Sequence, residues 1–267
     1  MERARPAGVS AAPAGPARPT VASFVARGPL AVGRLTLDED AAHHARVRRL
    51  ADGDRVTVRD GVGAVGEGRV ARLGKHALDV ELERVDDVAP PAPVHLLPPV
   101  GDRDRMLWLA EKAVEIGIAS WRPIRWQRSR SVSPRGEGEA FVAKVRARMA
   151  QALAQCEGAW LPEVHDAGDV DDALGALPLG ARLVLDAAGA PFEALARAGE
   201  GVCVAVGPEG GLEPGELARC DAAGFSRVRL PGSVLRFETA GVVGVAFARA
   251  HAEHARGGPP SALIARV

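Results

Sequence analysis

The chain has 267 residues, 34 basic and 34 acidic, and a formal net charge of zero, so a uniformly basic nucleic-acid binder is excluded. Apolar residues make up 47%, an ordinary share for a globular protein with a sizeable core, and no apolar run reaches the roughly 20 residues of a membrane span. Three cysteines, Cys156, Cys203 and Cys220, with none in a C-x-x-C pair, exclude a disulfide framework and a zinc site and point to a reduced, cytoplasmic protein.

The first 20 residues are rich in Ala, Pro, Gly and Arg without the apolar core of a signal peptide, and read as a disordered tail. Residues 21–89 read as a small, mostly β module. Asp38 is placed to cap a helix running to about Leu50, with Glu39 and Asp40 suiting its positive end. Arg55-Val-Thr-Val-Arg59 alternates as a half-buried strand does, Asp60–Gly63 forms a turn, and strands near 64–73 and 76–85 follow, the spacing of a small barrel.

Pro90, Pro91, Pro93, Pro98 and Pro99 mark a linker with one short strand, Val94–Leu97, and place a domain boundary near residue 90. From there strands and helices alternate. Helices are expected over 102–116, closed by Gly117, and over 139–156, after Pro191, after Pro214 and over 237–255. Strands are expected near 121–125, 182–185, 202–206 and 227–230. This is the pattern of an α/β domain with a mostly parallel sheet, whose ligands bind at the carboxyl ends of strands.

Charge is distributed unevenly. No acidic residue falls between Glu115 and Glu137, whereas Arg122, Arg125, Arg128, Arg130 and Arg135 do, and His43, His44, Arg46, Arg48 and Arg49 form a second basic cluster. Such patches can follow a phosphate backbone in a neutral protein, although a chain with only three lysines (Lys75, Lys112, Lys144) uses arginine everywhere.

Two strings carry chemistry. Val204-Ala-Val-Gly-Pro-Glu-Gly-Gly-Leu-Glu-Pro-Gly-Glu-Leu217 reads as strand, glycine-rich turn and helix start, with Gly207, Gly210 and Gly211 letting backbone amides approach a ligand. It lacks the Lys-Ser/Thr of a phosphate loop and the G-x-G-x-x-G of dinucleotide folds. Glu209 would repel a phosphate, which favours a nucleoside-like ligand; a plain tight turn is the alternative. In Leu230-Pro-Gly-Ser-Val-Leu-Arg-Phe-Glu-Thr-Ala240, Glu238 opens a helix whose dipole stabilises an anion. Arg236 stands among Val234, Leu235 and Phe237, which suggests a held guanidinium. His251 and His254 find no third partner for a metal.

Gly207-Pro-Glu-Gly-Gly211, Glu216, Ala223-Gly-Phe225 and Leu235-Arg-Phe-Glu-Thr-Ala240 resemble the C-terminal motifs of the RsmE-type 16S ribosomal RNA (uracil-N3) methyltransferases of the SPOUT superfamily. Further matches are the segment from His43 to Asp54, Asp104-Arg-Met, Glu111–Gly117, Gln127-Arg-Ser129 and Leu161-Pro-Glu-Val164. The resemblance implies a PUA-like RNA-binding β-barrel over 21–89 and a trefoil-knotted α/β methyltransferase domain over 90–267, acting as a homodimer on 16S rRNA or the small ribosomal subunit, without membrane or metal. It implies an S-adenosyl-L-methionine pocket lined by Gly207, Glu209, Gly210, Gly211, Leu230, Ser233 and Leu235. Arg236 and Glu238 are its candidate catalytic residues, and His44, Arg46, Arg49, Arg105, Arg128 and Arg130 its candidate RNA contacts. Gln151-Ala-Leu-Ala-Gln155 stands where members commonly carry a glutamate-rich helix, and a lysine usual near Gly101 is missing. These departures keep two alternatives open: a SPOUT methyltransferase acting on another RNA, and a non-catalytic RNA-binding homologue.

Overall fold

The structure is a computed structural model that describes residues 22–131, 135–192 and 201–255, with side chains omitted at Arg130 and Ser131. The N-terminal tail and the helix expected after Pro191 lie outside the described residues.

The N-terminal unit is a five-stranded sheet in the order β1-β3-β4-β5-β2, built from β1 (Ala22–Val25), β2 (Gly33–Leu37), β3 (Arg55–Arg59), β4 (Ala64–Leu73) and β5 (Leu78–Asp87). It curls round helix α1 (Glu39–Val47), so that Phe24, Ala42, Ala45, Val56, Val58, Leu78 and Val80 share one core. Asp38 caps α1 as expected, accepting from the Ala41 amide at 3.1 Å. β1 and β2 fall within the expected β module but at no bounds the sequence reading set, although Arg34-Leu-Thr-Leu37 alternates as a strand does. β3 departs from the half-buried reading: Thr57 and Arg59 are buried along with Val56 and Val58. One face of β3 packs in the α1 core. On the other, Arg59 donates to Ser23 Oγ and feels the charge of Glu157, and burial pushes its pKa down.

The second unit is a six-stranded parallel sheet ordered β11-β9-β10-β6-β7-β8. Its strands are β6 (Val94–Leu97), β7 (Ser120–Trp121), β8 (Glu163–Val164), β9 (Ala181–Pro191), β10 (Val202–Ala205) and β11 (Ser226–Arg229). Helices α2 (Arg103–Ile116), α3 (Glu139–Cys156) and α6 (Phe237–Ala255) cover one face with the larger core, which includes Met106, Leu109, Trp121 and Val204. On the other face α4 (Val170–Gly175) and α5 (Pro214–Ala222) pack with Ile124, Trp126, Cys203 and Phe225. The expected strand at 121–125 stops at Trp121, because Pro123 has no N–H for the ladder; Ile124 keeps only isolated bridges to Pro99 and Gly168. α4 and β8 are too short to leave a periodic signal.

The two units are joined by backbone as well as by side chains. The Gly63 amide donates to Ala159, the Leu161 amide to Gly61, and Trp160 Nε1 to the Val88 carbonyl at 2.9 Å. Glycine is required here: Gly61 and Gly63 have positive φ, and a Cβ at either would stand 2.7 Å from Leu161 or 2.6 Å from Trp160.

α6 lies unusually close to its neighbours. A Cβ at Gly241 would stand 2.9 Å from Leu109, and one at Gly244 3.0 Å from Leu185. Near its C-terminal end the buried Arg249 aims its guanidinium at three carbonyls, those of Ile116 (3.2 Å), Ala92 and Gly117. Ile116 and Gly117 end α2, whose last carbonyls have no partner within the helix, so a cation serves there as donor and as counter-charge to the helix dipole. Arg249→Met should lower unfolding free energy by about 3 kcal/mol, as buried acceptors lose charged donors, read by urea denaturation.

A polar row crosses β6, β7 and the end of β8. His95 Nδ1 lies 2.8 Å from Ser120 Oγ, and Arg122 donates to His165 Nε2 at 3.1 Å. Burial, then the charge of Arg122, holds both imidazoles below their ordinary pKa of 6.5. The folded chain therefore binds fewer protons than the unfolded chain once pH falls below about 6.5, and stability drops with pH there. His95→Gln with His165→Gln should flatten the fall in Tm between pH 7 and pH 5, measured by calorimetry.

Candidate active site

Val206 to Leu212 leave the carboxyl end of β10 as a tight turn. The Gly211 amide donates to the Pro208 carbonyl at 2.8 Å, and Gly211 takes φ +74°, where a side chain would strain the backbone. α5 then begins at Pro214 under a capping box: the Glu213 side chain accepts from the Glu216 backbone, and the Glu216 side chain accepts from the Glu213 amide at 2.8 Å. Glu216 is buried, and its other oxygen accepts from the Gln127 amide at 2.6 Å. Trp126 Nε1 donates to the Val206 carbonyl at 2.9 Å. One carboxylate and one indole thus fasten the 3-10 turn Gln127–Ser131 to both ends of the glycine loop.

This loop forms one wall of a cleft of about 470 Å³, within the size range of small-molecule sites. Gly207, Pro208, Glu209, Gly211 and Leu212 contribute on one side; Leu230, Gly232, Ser233, Val234 and Leu235 contribute on the other. Six of the seven residues expected to hold a cofactor line it together. Gly210 does not: its Cα faces Arg128, and a Cβ there would stand 3.0 Å from Arg128 Cδ.

The sequence reading missed the third wall, Leu185, Asp186 and Ala187. Its strand ended at Leu185, whereas β9 continues. The β9–β11 register jumps from Val184↔Arg227 to Ala190↔Val228, so residues 185–189 bulge from the ladder beside the cleft. Asp186 Oδ1 accepts from the Ala188 amide at 3.0 Å, and Gly189 lies so near Arg227 that no Cβ fits. Asp186-Ala-Ala-Gly189, an Asx turn closed by glycine, was the available signal.

The two candidate catalytic residues differ in setting. Arg236 is exposed and has no hydrogen bond or ion pair among the described residues; only its carbonyl is engaged, by the Ala240 amide. The expected held guanidinium is therefore corrected: apolar neighbours in sequence do not enclose it, because Val234 turns outward, 96% exposed, while Phe237 turns into the core. Glu238 is buried, and its Oε2 has no hydrogen-bond partner among the described residues. Neither lines the cleft, yet Leu235 and Phe237 beside them do.

The candidate RNA contacts fall into two groups. His44, Arg46 and Arg49 are exposed at the end of α1. Arg46 donates to the carbonyls of Gly74 and Lys75, and His44 packs edge-on against Phe24 with its pKa lowered by partial burial and then by Arg48 and His43. Arg105 and Arg128 instead grip the glycine loop. Arg105 donates to Glu209 Oε1 at 3.0 Å, and Arg128 to Glu213 Oε1 at 2.7 Å and to the Gly210 carbonyl. The Arg105 pair partly neutralises Glu209, which weakens the argument that this carboxylate repels phosphate. The Arg130 side chain lies outside the described residues.

Burial pushes the Cys203 and Cys220 thiols up to about 11, so neither is a nucleophile at neutral pH. Among the described residues no group of three His, Cys, Asp or Glu could hold a metal, and no helix is long and apolar enough to cross a membrane.

Glu216→Ala would orphan the amides of Gln127 and Glu213. It should cost about 2 to 3 kcal/mol in urea denaturation and speed hydrogen exchange at these two amides before others in the sheet.

Residues 89–249 match the RNA methyltransferase domain family, and residues 37–83 match the RNA methyltransferase PUA domain. Ribosomal RNA small subunit methyltransferase E of Mycobacterium bovis is 30% identical over an alignment of 225 residues that covers 77% of this chain and 81% of that protein. Ribosomal RNA small subunit methyltransferase E from Neisseria gonorrhoeae, solved bound to S-adenosyl methionine, is 25% identical with a TM-score of 0.77, over 84% of this chain and 95% of that one. The fold is shared with a methyltransferase structure from Legionella pneumophila, with a TM-score of 0.79 at 22% identity over 87% of this chain and 98% of that one. With a catalytic domain and a PUA domain matched in the order the fold presents them, the chain belongs to the RNA methyltransferase family.

Proposed function

We propose that the protein uses S-adenosylmethionine to methylate N3 of a uridine in 16S ribosomal RNA, in the cytoplasm and as a homodimer. The observation that carries this reading is the cleft itself: the bulge inside β9 and the chain at the ends of β10 and β11 supply its walls, and the Gly207–Leu212 turn supplies its exposed backbone. The names borne by the Mycobacterium and Neisseria relatives support the choice of substrate.

The residues present fit the cofactor. Val206, Leu212, Leu217, Val228 and Leu230 offer apolar walls for an adenine ring, and Asp186, Glu209 and the loop backbone offer polar groups for its ribose and amino-acid ends. S-adenosylmethionine supplies a methyl group already activated by its sulfonium. The protein then has two tasks, to align the acceptor nitrogen and to manage its proton. Alignment alone can contribute about 7 kcal/mol or more. In a duplex uracil N3–H is paired, so the base must be unpaired or turned out of its stack. Loss of the N3 proton would leave negative charge shared between N3 and the uracil carbonyls, and that charge would be consumed as N3 takes the methyl group and the methyl–sulfur bond breaks, releasing a neutral thioether. Arg236, exposed beside the cleft and without a hydrogen bond or ion pair from its side chain among the described residues, is suited to meet that charge or a neighbouring phosphate. Glu238 Oε2, buried and unpartnered, is suited to accept the proton or to orient the base.

His44, Arg46 and Arg49 form the proposed RNA-facing surface of the PUA-like unit, reached across a domain boundary near residue 90. Arg105, Arg128 and Arg130 complete the proposed RNA set on the catalytic unit.

Purified small subunits lacking 3-methyluridine, incubated with the protein and S-adenosylmethionine, should gain that nucleoside by mass spectrometry. Arg236→Ala should reduce kcat by about 10²-fold or more while cofactor affinity by calorimetry stays near that of the unaltered protein. Methylation at another atom or of another RNA would reject the substrate, and near-normal turnover of the variant would reject the role of Arg236.

A further inference from the structure

Arg105 occupies the first turn of α2, behind the N-cap Asp102, whose carboxylate accepts from the amides of Asp104 (3.2 Å) and Arg105 (3.0 Å). Its guanidinium leaves the helix toward two carboxylates from separate elements. One N–H donates to Glu209 Oε1 at 3.0 Å, and Nε stands 3.9 Å from Glu238 Oε1. Glu209 lines the cleft; Glu238 is buried behind it and does not. The second oxygen of Glu238 is buried without a hydrogen-bond partner among the described residues. A buried carboxylate oxygen left unpaired is costly, and such groups persist where something else uses them.

The side chains of Arg105 and Glu209 are each 36% exposed, so solvent screens the pair and its contribution to stability is small. Its value lies in geometry. A guanidinium presents several N–H groups in a fixed plane and can serve two carboxylates at once, which a lysine point charge cannot. The hydrogen bond to Glu209 sets that plane, and the plane sets how much of the charge Glu238 receives.

We infer that Arg105 is a positioning residue that couples the cofactor loop to the acceptor side of the site, holding Glu209 at the cleft wall and the Glu238 carboxylate with one shared guanidinium. This rests on the reading of the cleft as the S-adenosylmethionine site. The two carboxylates compete for one cation, so neutralising Glu238 commits Arg105 to Glu209 and fixes the loop more firmly. Removing Arg105 releases both. Glu238 thereby influences a ligand it does not touch, and only through Arg105.

The test is calorimetry with S-adenosylmethionine on the full chain, as a double-mutant cycle of Arg105→Gln and Glu238→Gln, with binding of the ribosomal RNA substrate measured in parallel. Arg105→Gln should weaken cofactor binding by about ten-fold and Glu238→Gln should tighten it by about three-fold, with the second effect absent in the double variant, the sign of direct coupling. Arg105→Gln also removes a proposed RNA contact and should weaken RNA binding as well, so the cofactor cycle is read in the absence of RNA, where a lost phosphate contact has no effect. Arg105→Lys keeps the charge without the fork; it should bind the cofactor with intermediate affinity and lose the dependence on Glu238, and it carries the cycle if the Gln variant does not fold. The inference is overturned if Glu238→Gln changes cofactor affinity equally with and without Arg105, or not at all. It is also overturned if Arg105→Gln weakens RNA alone. No cofactor binding by the unaltered chain overturns the cleft assignment and this inference together, whereas intact coupling without 3-methyluridine formation overturns only the substrate.

Discussion

The site depends on where α6 lies. Two glycines, Gly241 and Gly244, remove the side chains that would hold the helix off α2 and the sheet, and the Arg249 guanidinium ties its far end to the carbonyls that close α2 and precede β6. A buried arginine is tolerable because several acceptors surround it and because a helix C-terminus is already partly negative. With α6 fixed along its length, its first turn is fixed too. Phe237 fills the space against Gly101, where a Cβ would stand 3.0 Å from the ring, and Glu238 is carried into the interior next to the start of α2. Arg249, eleven residues beyond Glu238, thus helps decide where the first turn of α6 can place its side chains.

Much of the α/β unit was legible because its elements announce themselves locally. Asp102 and Gly117 bracket α2 as cap residues do, Pro214 opens α5, and the apolar stretch from Val202 ends where glycines begin. The cleft was legible for a related reason: tight turns that approach a ligand need glycine, and glycine is visible in sequence. What escaped was non-local. The bulge at 185–189 is set by how β11 pairs with β9, and the local signal for it, Asp186-Ala-Ala-Gly189, shows a turn without showing which strand it interrupts. Arg105 and Arg128 are arginines among many in this chain. Their partners, Glu209 and Glu213, lie 104 and 85 residues away respectively, a pairing no spacing rule reaches. The error at Arg236 had a different source. Apolar neighbours in sequence imply enclosure only if the segment is regular, and Val234 to Phe237 turn from loop into helix.

The arginines of this neutral chain serve different ends. Arg59 and Arg249 are interior fixtures that satisfy backbone or hydroxyl acceptors. Arg105 and Arg128 brace a loop whose glycines give it little rigidity of its own. Arg236, exposed and without a hydrogen bond or ion pair from its side chain among the described residues, leaves its charge available to a ligand. Counting positive residues along the sequence cannot separate these uses, whereas asking which acceptor each one meets does so at once.

The junction of the two units has a mechanical consequence. Gly61 and Gly63 exchange backbone hydrogen bonds with Leu161 and Ala159, and the Trp160 indole donates to the Val88 carbonyl, so the PUA-like sheet is bolted to the chain just beyond α3 largely by backbone, which does not change rotamer. A module held this way acts as a gauge of fixed length. An RNA bound as proposed, at the α1 end and the cleft together, would have to present two points at one set span. Selection by span needs few base-specific contacts, which suits a surface made of a few basic side chains.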